Sequence, residues 1–140
     1  MHDNVIVKEK VNAPVEKVWA ALTDKGAMKE WYFDIPDFAA EPHTEFGFWG
    51  GGIKAGQHHH CEILEVDACR KLKYSWAYPE ISKEKTIVKW ELESEAEGTV
   101  VTLTHKGLEN LEHLGLEFNH ESFEKEWKGI VGKLKAFVEK

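Results

Sequence analysis

Val11-Asn12-Ala13-Pro14-Val15-Glu16-Lys17-Val18-Trp19-Ala20-Ala21-Leu22-Thr23 reads as the end of a strand running directly into a helix. Upstream, Val5, Val7 and Val11 share one face of an extended segment and Ile6, Lys8 and Lys10 the other, the alternation of a half-buried strand. Asn12 is placed to cap the helix, and Pro14 suits a first turn in which a missing N–H costs nothing. Val15, Val18, Trp19 and Leu22 then form its inward stripe, which should end near Asp24-Lys25-Gly26, with a second short turn over Ala27 to Trp31. At the other end Phe123, Trp127, Ile130, Val131, Leu134, Phe137 and Val138 recur at the period of an amphipathic helix lying on an apolar support. The chain between is almost all strand-like. The spacing therefore predicts an α+β object, one curved antiparallel sheet gripping a long C-terminal helix, with short N-terminal helices after the first strand.

The middle of the chain divides unevenly. From Tyr32 to Gln57, Pro36, Pro42 and Gly50-Gly51-Gly52 interrupt any pattern and leave room for one short strand, Glu45 to Trp49, and a flexible tip at the glycines. Four cleaner strands follow, His58 to Val66, Lys71 to Trp76, Thr86 to Ser94 and Thr99 to His105. The last two flank the polar turn Glu95-Ala96-Glu97-Gly98 and should pair as a hairpin. No internal repeat or low-complexity segment interrupts the run, so residues 1–140 are expected to form one domain.

Composition narrows the function. The 140 residues are 42% apolar and 31% charged, ordinary for a globular domain, but six tryptophans concentrate large apolar area in few places. A formal charge of −7 argues against nucleic acid, whose binding rests on basic contacts to phosphate. No basic leader precedes an apolar run and no apolar stretch reaches spanning length, so the expected location is the cytoplasm, without membrane insertion. Cys61 and Cys69 lack CxxC spacing and are expected as free thiols, the first in a strand and the second in a turn.

Three segments carry a resemblance. Cys61-Glu62-Ile63-Leu64-Glu65-Val66-Asp67-Ala68-Cys69-Arg70-Lys71-Leu72-Lys73-Tyr74-Ser75-Trp76 is one; Val88-Lys89-Trp90-Glu91-Leu92-Glu93, followed by Gly98-Thr99-Val100-Val101-Thr102-Leu103-Thr104-His105-Lys106-Gly107-Leu108, is the second. The third is Asn12-Ala13-Pro14 ahead of Val18-Trp19. Together they resemble the START-like, or SRPBCC, superfamily, and within it the family homologous to the activator of heat-shock protein 90 ATPase. The match runs nearly end to end. It departs at Ala68-Cys69, where the family usually has prolines, and at Glu126, where it commonly has a glycine before the tryptophan of the last helix. The resemblance implies a helix-grip fold, a strongly bent antiparallel sheet wrapped around the long C-terminal helix with an apolar pocket between them. Relatives include lipid carriers, plant hormone-binding proteins, polyketide cyclases and co-chaperones, so fold analogy leaves function open.

The residues that could carry chemistry are few. His58-His59-His60 suggests a metal, but on a strand His58 and His60 point one way and His59 the other, so no metal site or cofactor is expected. His59 shares its face with Cys61 and Ile63, and His105 its face with Val101 and Leu103; each is either a polar anchor in a cavity or a hydrogen-bonded core histidine. Trp49, Trp76, Trp90 and Trp127, with Tyr74 and Phe123, fall on predicted inner faces and either fill volume or line a cavity. The chain contains no GxSxG, HExxH or phosphate-binding loop, and Cys61 in a strand has no helix N-terminus to activate it. Asp34 or Glu45 could pair with His59 or His105 in a cyclase-like reaction, without a positive signature for it. Gly129, Gly132 and Ala136 lie roughly opposite the apolar stripe of the last helix; they are either neutral or the close-approach face of a homodimer through that helix.

The preferred expectation is non-enzymatic binding of a small apolar or amphipathic ligand between sheet and helix, lined by Trp49, His59, Tyr74, Trp76, Trp90, His105, Phe123 and Trp127. A protein-interaction or co-chaperone-like module is the alternative, and a cyclase-type enzyme the third.

Overall fold

The computed structural model describes residues 4–33, 35–49, 58–115 and 118–140. Strand β1 (Val5–Val11) leads into helices α1 (Val15–Thr23) and α2 (Lys25–Trp31). Strands β2 (Glu45–Trp49), β3 (His58–Asp67), β4 (Lys71–Ala77), β5 (Lys85–Glu95) and β6 (Gly98–Lys106) follow, and two short 3₁₀ turns precede the C-terminal helix α3 (His120–Val138). The strands form one curved antiparallel sheet in the order β1-β6-β5-β4-β3-β2. Consecutive strands from β2 to β6 are neighbours, and β1 returns to the free edge of β6, so helix α3 and the α1–α2 pair lie over a continuous surface. The helix-grip architecture expected from the resemblance is the one observed.

The alternation that defines each strand also builds the core. His59, Cys61 and Ile63 of β3, Leu72, Tyr74 and Trp76 of β4, Val88, Trp90 and Leu92 of β5, and Val101 and Leu103 of β6 are all buried on the inner side. The β3–β4 register shifts between Ile63 and Glu65, a local irregularity of the kind that bends a strand. Helix α3 presses Phe123, Trp127, Val131, Leu134 and Val138 onto this surface. Each such side chain contributes roughly 1.5 to 3 kcal/mol of burial. Asn119 caps the helix by accepting from Ser122 N at 2.8 Å, and at its far end Glu139 accepts the Asn12 backbone N–H at 2.8 Å, tying α3 to the β1–α1 junction.

The β5–β6 hairpin is the one expected, and its loop is tighter than the four-residue turn predicted, with Glu95 already opposite Gly98. Gly98 is required there because a Cβ would run into the Val11 carbonyl oxygen of the neighbouring strand. In the β3–β4 turn Cys69 adopts φ 64°, which a proline ring cannot reach, so the departure from the family's prolines goes with this turn's geometry. Both cysteines are free, Cys61 buried in β3 and Cys69 in the turn.

Three local expectations are corrected. Asn12 does not cap α1: Pro14, extended at ψ 153°, is itself the N-cap, which leaves the Asn12 side chain two residues too early to reach the first-turn N–H groups. The break between α1 and α2 is sharper than expected, because Asp24 ends one helix and accepts from Ala27 N at 3.1 Å to start the next, placing Gly26 inside α2. Trp49 is not on the inner face but 60% exposed. In β2 it shares its side with Glu45 and Gly47, while Phe46 and Phe48 occupy the inner side; two aromatics outweigh one. The glycine run and Asp34 lie outside the described residues.

Candidate functional site

Of the eight residues expected to line a pocket, seven converge. Tyr74 and Trp76 stand two apart on β4, so they project to one face, and β3 and β5 bring His59 and Trp90 up on either side. Trp127 descends from the middle of α3 and meets Trp76 at 5.3 Å and Trp90 at 6.0 Å between ring centroids. Phe123, one turn earlier, meets His105 edge-on at 5.1 Å. Trp49 is the residue left out.

Strand alternation did not point to several others. Phe48 stacks on His59 at 4.8 Å and on Phe33 at 4.5 Å, and Tyr78, just beyond β4, meets His59 at 4.7 Å and Phe118 at 5.0 Å. Tyr32, after α2, closes the group against Trp31 and Phe48. A signal existed for Phe46 and Phe48, the only apolar side chains on their face of β2. None existed for Tyr32 and Tyr78, which lie in irregular segments where no period applies.

Every buried indole N–H on this wall is spent on a specific acceptor, as burial demands. Trp127 Nε1–H donates to His105 Nδ1 at 2.9 Å, and an indole nitrogen can only donate, so Nδ1 must carry the lone pair. The hydrogen of the neutral ring is then on Nε2, 2.7 Å from Thr86 Oγ1, whose own hydrogen goes to the Trp76 carbonyl at 3.2 Å. Trp76 Nε1–H donates to Tyr78 Oη at 2.9 Å and Trp90 Nε1–H to Tyr74 Oη at 3.0 Å. Tyr74 Oη is in turn 3.3 Å from Tyr32 Oη.

Burial pushes the phenols of Tyr32, Tyr74 and Tyr78 well above their ordinary range, and neighbouring Tyr74 raises Tyr32 further. It pushes the Cys61 thiol up as well, so thiol and phenols alike are held protonated. A buried thiol of that kind is inert as a nucleophile. In the histidine run, His59 alone is inside; His60 Nε2 lies 3.0 Å from Glu45 Oε1 on the outer side, and His58 packs against exposed Trp49 at 5.2 Å. Among the described residues no three His, Cys, Asp or Glu side chains are grouped to hold a metal.

A groove of about 360 Å³ lies on the opposite side of the sheet, between Lys8, Arg70, Lys71 and Glu91. Its charges are largely paired within the sheet, Lys71 with Glu65 at 2.9 Å and Lys89 with Glu91 at 3.4 Å, and it offers little to an apolar molecule. Gly129, Gly132 and Ala136 sit exposed on the outer side of α3, and nothing lies within 4 Å of a Cβ built on either glycine. Among the described residues no helix is long and apolar enough to cross a membrane.

A wall of this kind, gripped by a C-terminal helix, is the architecture of the START-like superfamily. Residues 12–139 match the family model described as activator of Hsp90 ATPase homolog 1-like protein, and the chain belongs to that family. No curated protein matches it in sequence. Among solved structures it resembles protein BH1534 of Bacillus halodurans (25% identity, 99% of this chain and 98% of that one, TM-score 0.79). It also resembles protein MLL2253 of Mesorhizobium loti (21%, 97% and 96%, 0.78) and the Aha1 dimer of Colwellia psychrerythraea (19%, 99% and 97%, 0.76). These likenesses describe the fold.

Proposed function

We propose that the chain binds a small apolar or amphipathic molecule between the inner face of the sheet and α3, and holds it without converting it. The observation that supports this most is the convergence of Trp76, Trp90, Trp127, Tyr74, Phe123, His59 and His105 from five elements onto one wall, with polar atoms set among the rings. Ligand sites are built in this way, mostly apolar with a few placed polar groups. Retention rather than turnover is favoured by a thiol and three phenols that burial keeps protonated. Native mass spectrometry of protein purified without denaturation tests the reading through a retained mass. A naphthalene-sulfonate probe supplies the second test: it should bind saturably, and Trp90→Leu should change its affinity more than Lys128→Ala on the exposed side of α3. The reason is that an apolar ligand gains about 25 cal/mol for each Å² removed from water, and only wall residues alter that area. Absence of saturable binding in the native protein would reject the reading.

A second reading, an interaction module, draws on the family's description and on the dimeric relative, together with the exposed Gly129, Gly132 and Ala136 on α3. Here the partner is a second copy of the chain or a chaperone. Sedimentation of the chain alone and with an Hsp90 protein separates the two.

A further inference from the structure

We propose that strand β2 is a self-association surface, on which two copies of the chain join their sheets edge to edge, β2 against β2 and antiparallel about Gly47, as a weak two-fold dimer. The surface is other than the Gly129 face of α3, and the inference is independent of what the interior holds.

A sheet of order β1-β6-β5-β4-β3-β2 has two edges, and the chain treats them differently. The β1 edge is closed by α3. Lys135 Nζ donates to the Lys10 carbonyl at 3.3 Å, His120 Nε2 lies 3.4 Å from the Asn4 carbonyl, and Glu139 accepts the Asn12 N–H at 2.8 Å, so outward-facing backbone groups along β1 are met by side chains of the helix. Lys8 and Lys10 add the charge that commonly blunts an exposed edge. Strand β2, Glu45-Phe46-Gly47-Phe48-Trp49, contains neither lysine nor proline.

Backbone alternation identifies its free groups. Ile63 N–H donates to the Thr44 carbonyl at 2.8 Å, while Glu62 N–H turns the other way to Ser75 Oγ of β4 at 2.9 Å. Odd-numbered residues of β3 therefore bond toward β2, where Cys61 and His59 face Phe46 and Phe48. The N–H and C=O groups of Glu45, Gly47 and Trp49 then point to the open edge. Among the described residues nothing bonds to them there.

The pattern of the strand selects a second copy as the occupant. Antiparallel to itself with Gly47 on the two-fold axis, Gly47 meets Gly47 and each Glu45 meets a Trp49; these are the residues whose backbone groups face out, so each pair exchanges two hydrogen bonds. Charge agrees with this register. The two Glu45 carboxylates lie about 13 Å apart along the strand, beyond a Debye length at physiological salt. Each comes instead to the other copy's Trp49, beside which His58 packs at 5.2 Å, and the exposed indole gains a cover. Because the β1 edges are closed, addition stops at two copies rather than running on as a fibre. A strand edge of five residues is a small contact, below the roughly 1,000 Å² of a stable complex, so the dimer is weak and forms as concentration rises.

The test is sedimentation velocity of the full chain over a hundredfold range of concentration up to about 1 mM. The unsubstituted chain should pass from monomer to dimer and no further. Trp49→Glu sets a carboxylate opposite each Glu45 and should weaken the dimer by about tenfold or more, whereas Trp49→Lys removes the same indole but sets an opposite charge there and should stay within about threefold. In amide exchange by NMR, Gly47 and Trp49 should become protected as the unsubstituted chain is concentrated, and Lys8 on the other edge should not. A dimer that neither substitution weakens overturns the β2 assignment and leaves α3 as the self-association face. Equal weakening by both, without protection of Gly47, overturns the register, and a chain that stays monomeric throughout overturns the proposal while leaving the ligand reading untouched.

Discussion

Two hydrogen-bonded chains thread the same aromatic interior and end differently. One starts at Trp127 on α3 and runs through His105 of β6 and Thr86 of β5 to a backbone carbonyl of β4, with every hydrogen placed. The other starts at the indoles of Trp76 and Trp90 and ends on phenolic oxygens, those of Tyr78 and of the Tyr74–Tyr32 pair. A closed chain fixes a tautomer, a rotamer and the seat of a helix, and it reads as architecture. The second chain ends on side chains instead, one of them the half-buried Tyr32, and so ties fewer backbone positions together. For His105 the sequence leaves two readings open, a polar anchor in a cavity or a hydrogen-bonded core histidine. The geometry gives His105 two hydrogen-bond partners, Trp127 of α3 and Thr86 of β5.

The comparison breaks most severely at the head of the closed chain. Trp127→Ala removes the largest side chain on the α3 stripe and leaves His105 Nδ1 without its donor; it should cost roughly 3 to 5 kcal/mol in equilibrium denaturation. An unchanged midpoint would mean that α3 is not packed on Trp76 and Trp90. Substitution in the middle of the chain is the next largest. His105→Leu keeps an apolar side chain but strands Trp127 N–H and shortens the partner set of Thr86, and should cost about 2 kcal/mol. Tyr78→Phe should cost about 1 kcal/mol, since it removes the acceptor of the single Trp76 indole N–H, whereas His105 holds bonds at both ring nitrogens. Urea titrations of the two variants side by side measure that contrast, and equal losses would erase the distinction between the two chains.

Two smaller effects lie outside the interior. Gly129→Ala and Gly132→Ala each add a methyl group to open space on a helix, and each should raise stability by up to about 1 kcal/mol through lower unfolded-chain entropy and better helix propensity. Stabilisation accompanied by loss of self-association in sedimentation would instead assign that face to a second copy. The smallest effect concerns Glu139. Its hydrogen bond to Lys135, assisted by the Asn12 N–H, holds its carboxyl below the ordinary value. A depressed folded-state pKa means that the contribution is present above the unfolded carboxylate's pKa and is lost as pH falls through the folded one. The stability gap between the parent and Glu139→Gln should therefore narrow on acidification, and a gap that widened would contradict the assigned contact.

Much of the fold was readable before any coordinates. Alternation in Val5–Val11 and Lys85–Glu95 identified inner faces because burying one side of a strand imposes a period of two, and the α3 stripe announced itself by a period of 3.6. Errors arose where period and propensity gave way to local competition. Trp49 falls on a predicted inner face, although in a five-residue strand Phe46 and Phe48 decide the face together. Asn12 had the right chemistry for a cap, and Pro14 took the position.

The sequence by itself determined the order and type of the elements, the inner faces of the long strands, the pairing of β5 with β6 and the side of α3 that is buried. All of these follow from spacing along one chain. Only the tertiary structure decided which polar atoms meet, because the bonds of Trp127 with His105, Trp90 with Tyr74 and Tyr74 with Tyr32 join residues 22, 16 and 42 positions apart. Hydrogen-bond partners at such distances are set by where the sheet bends and where α3 comes to rest, and no local pattern records which donor will find which acceptor.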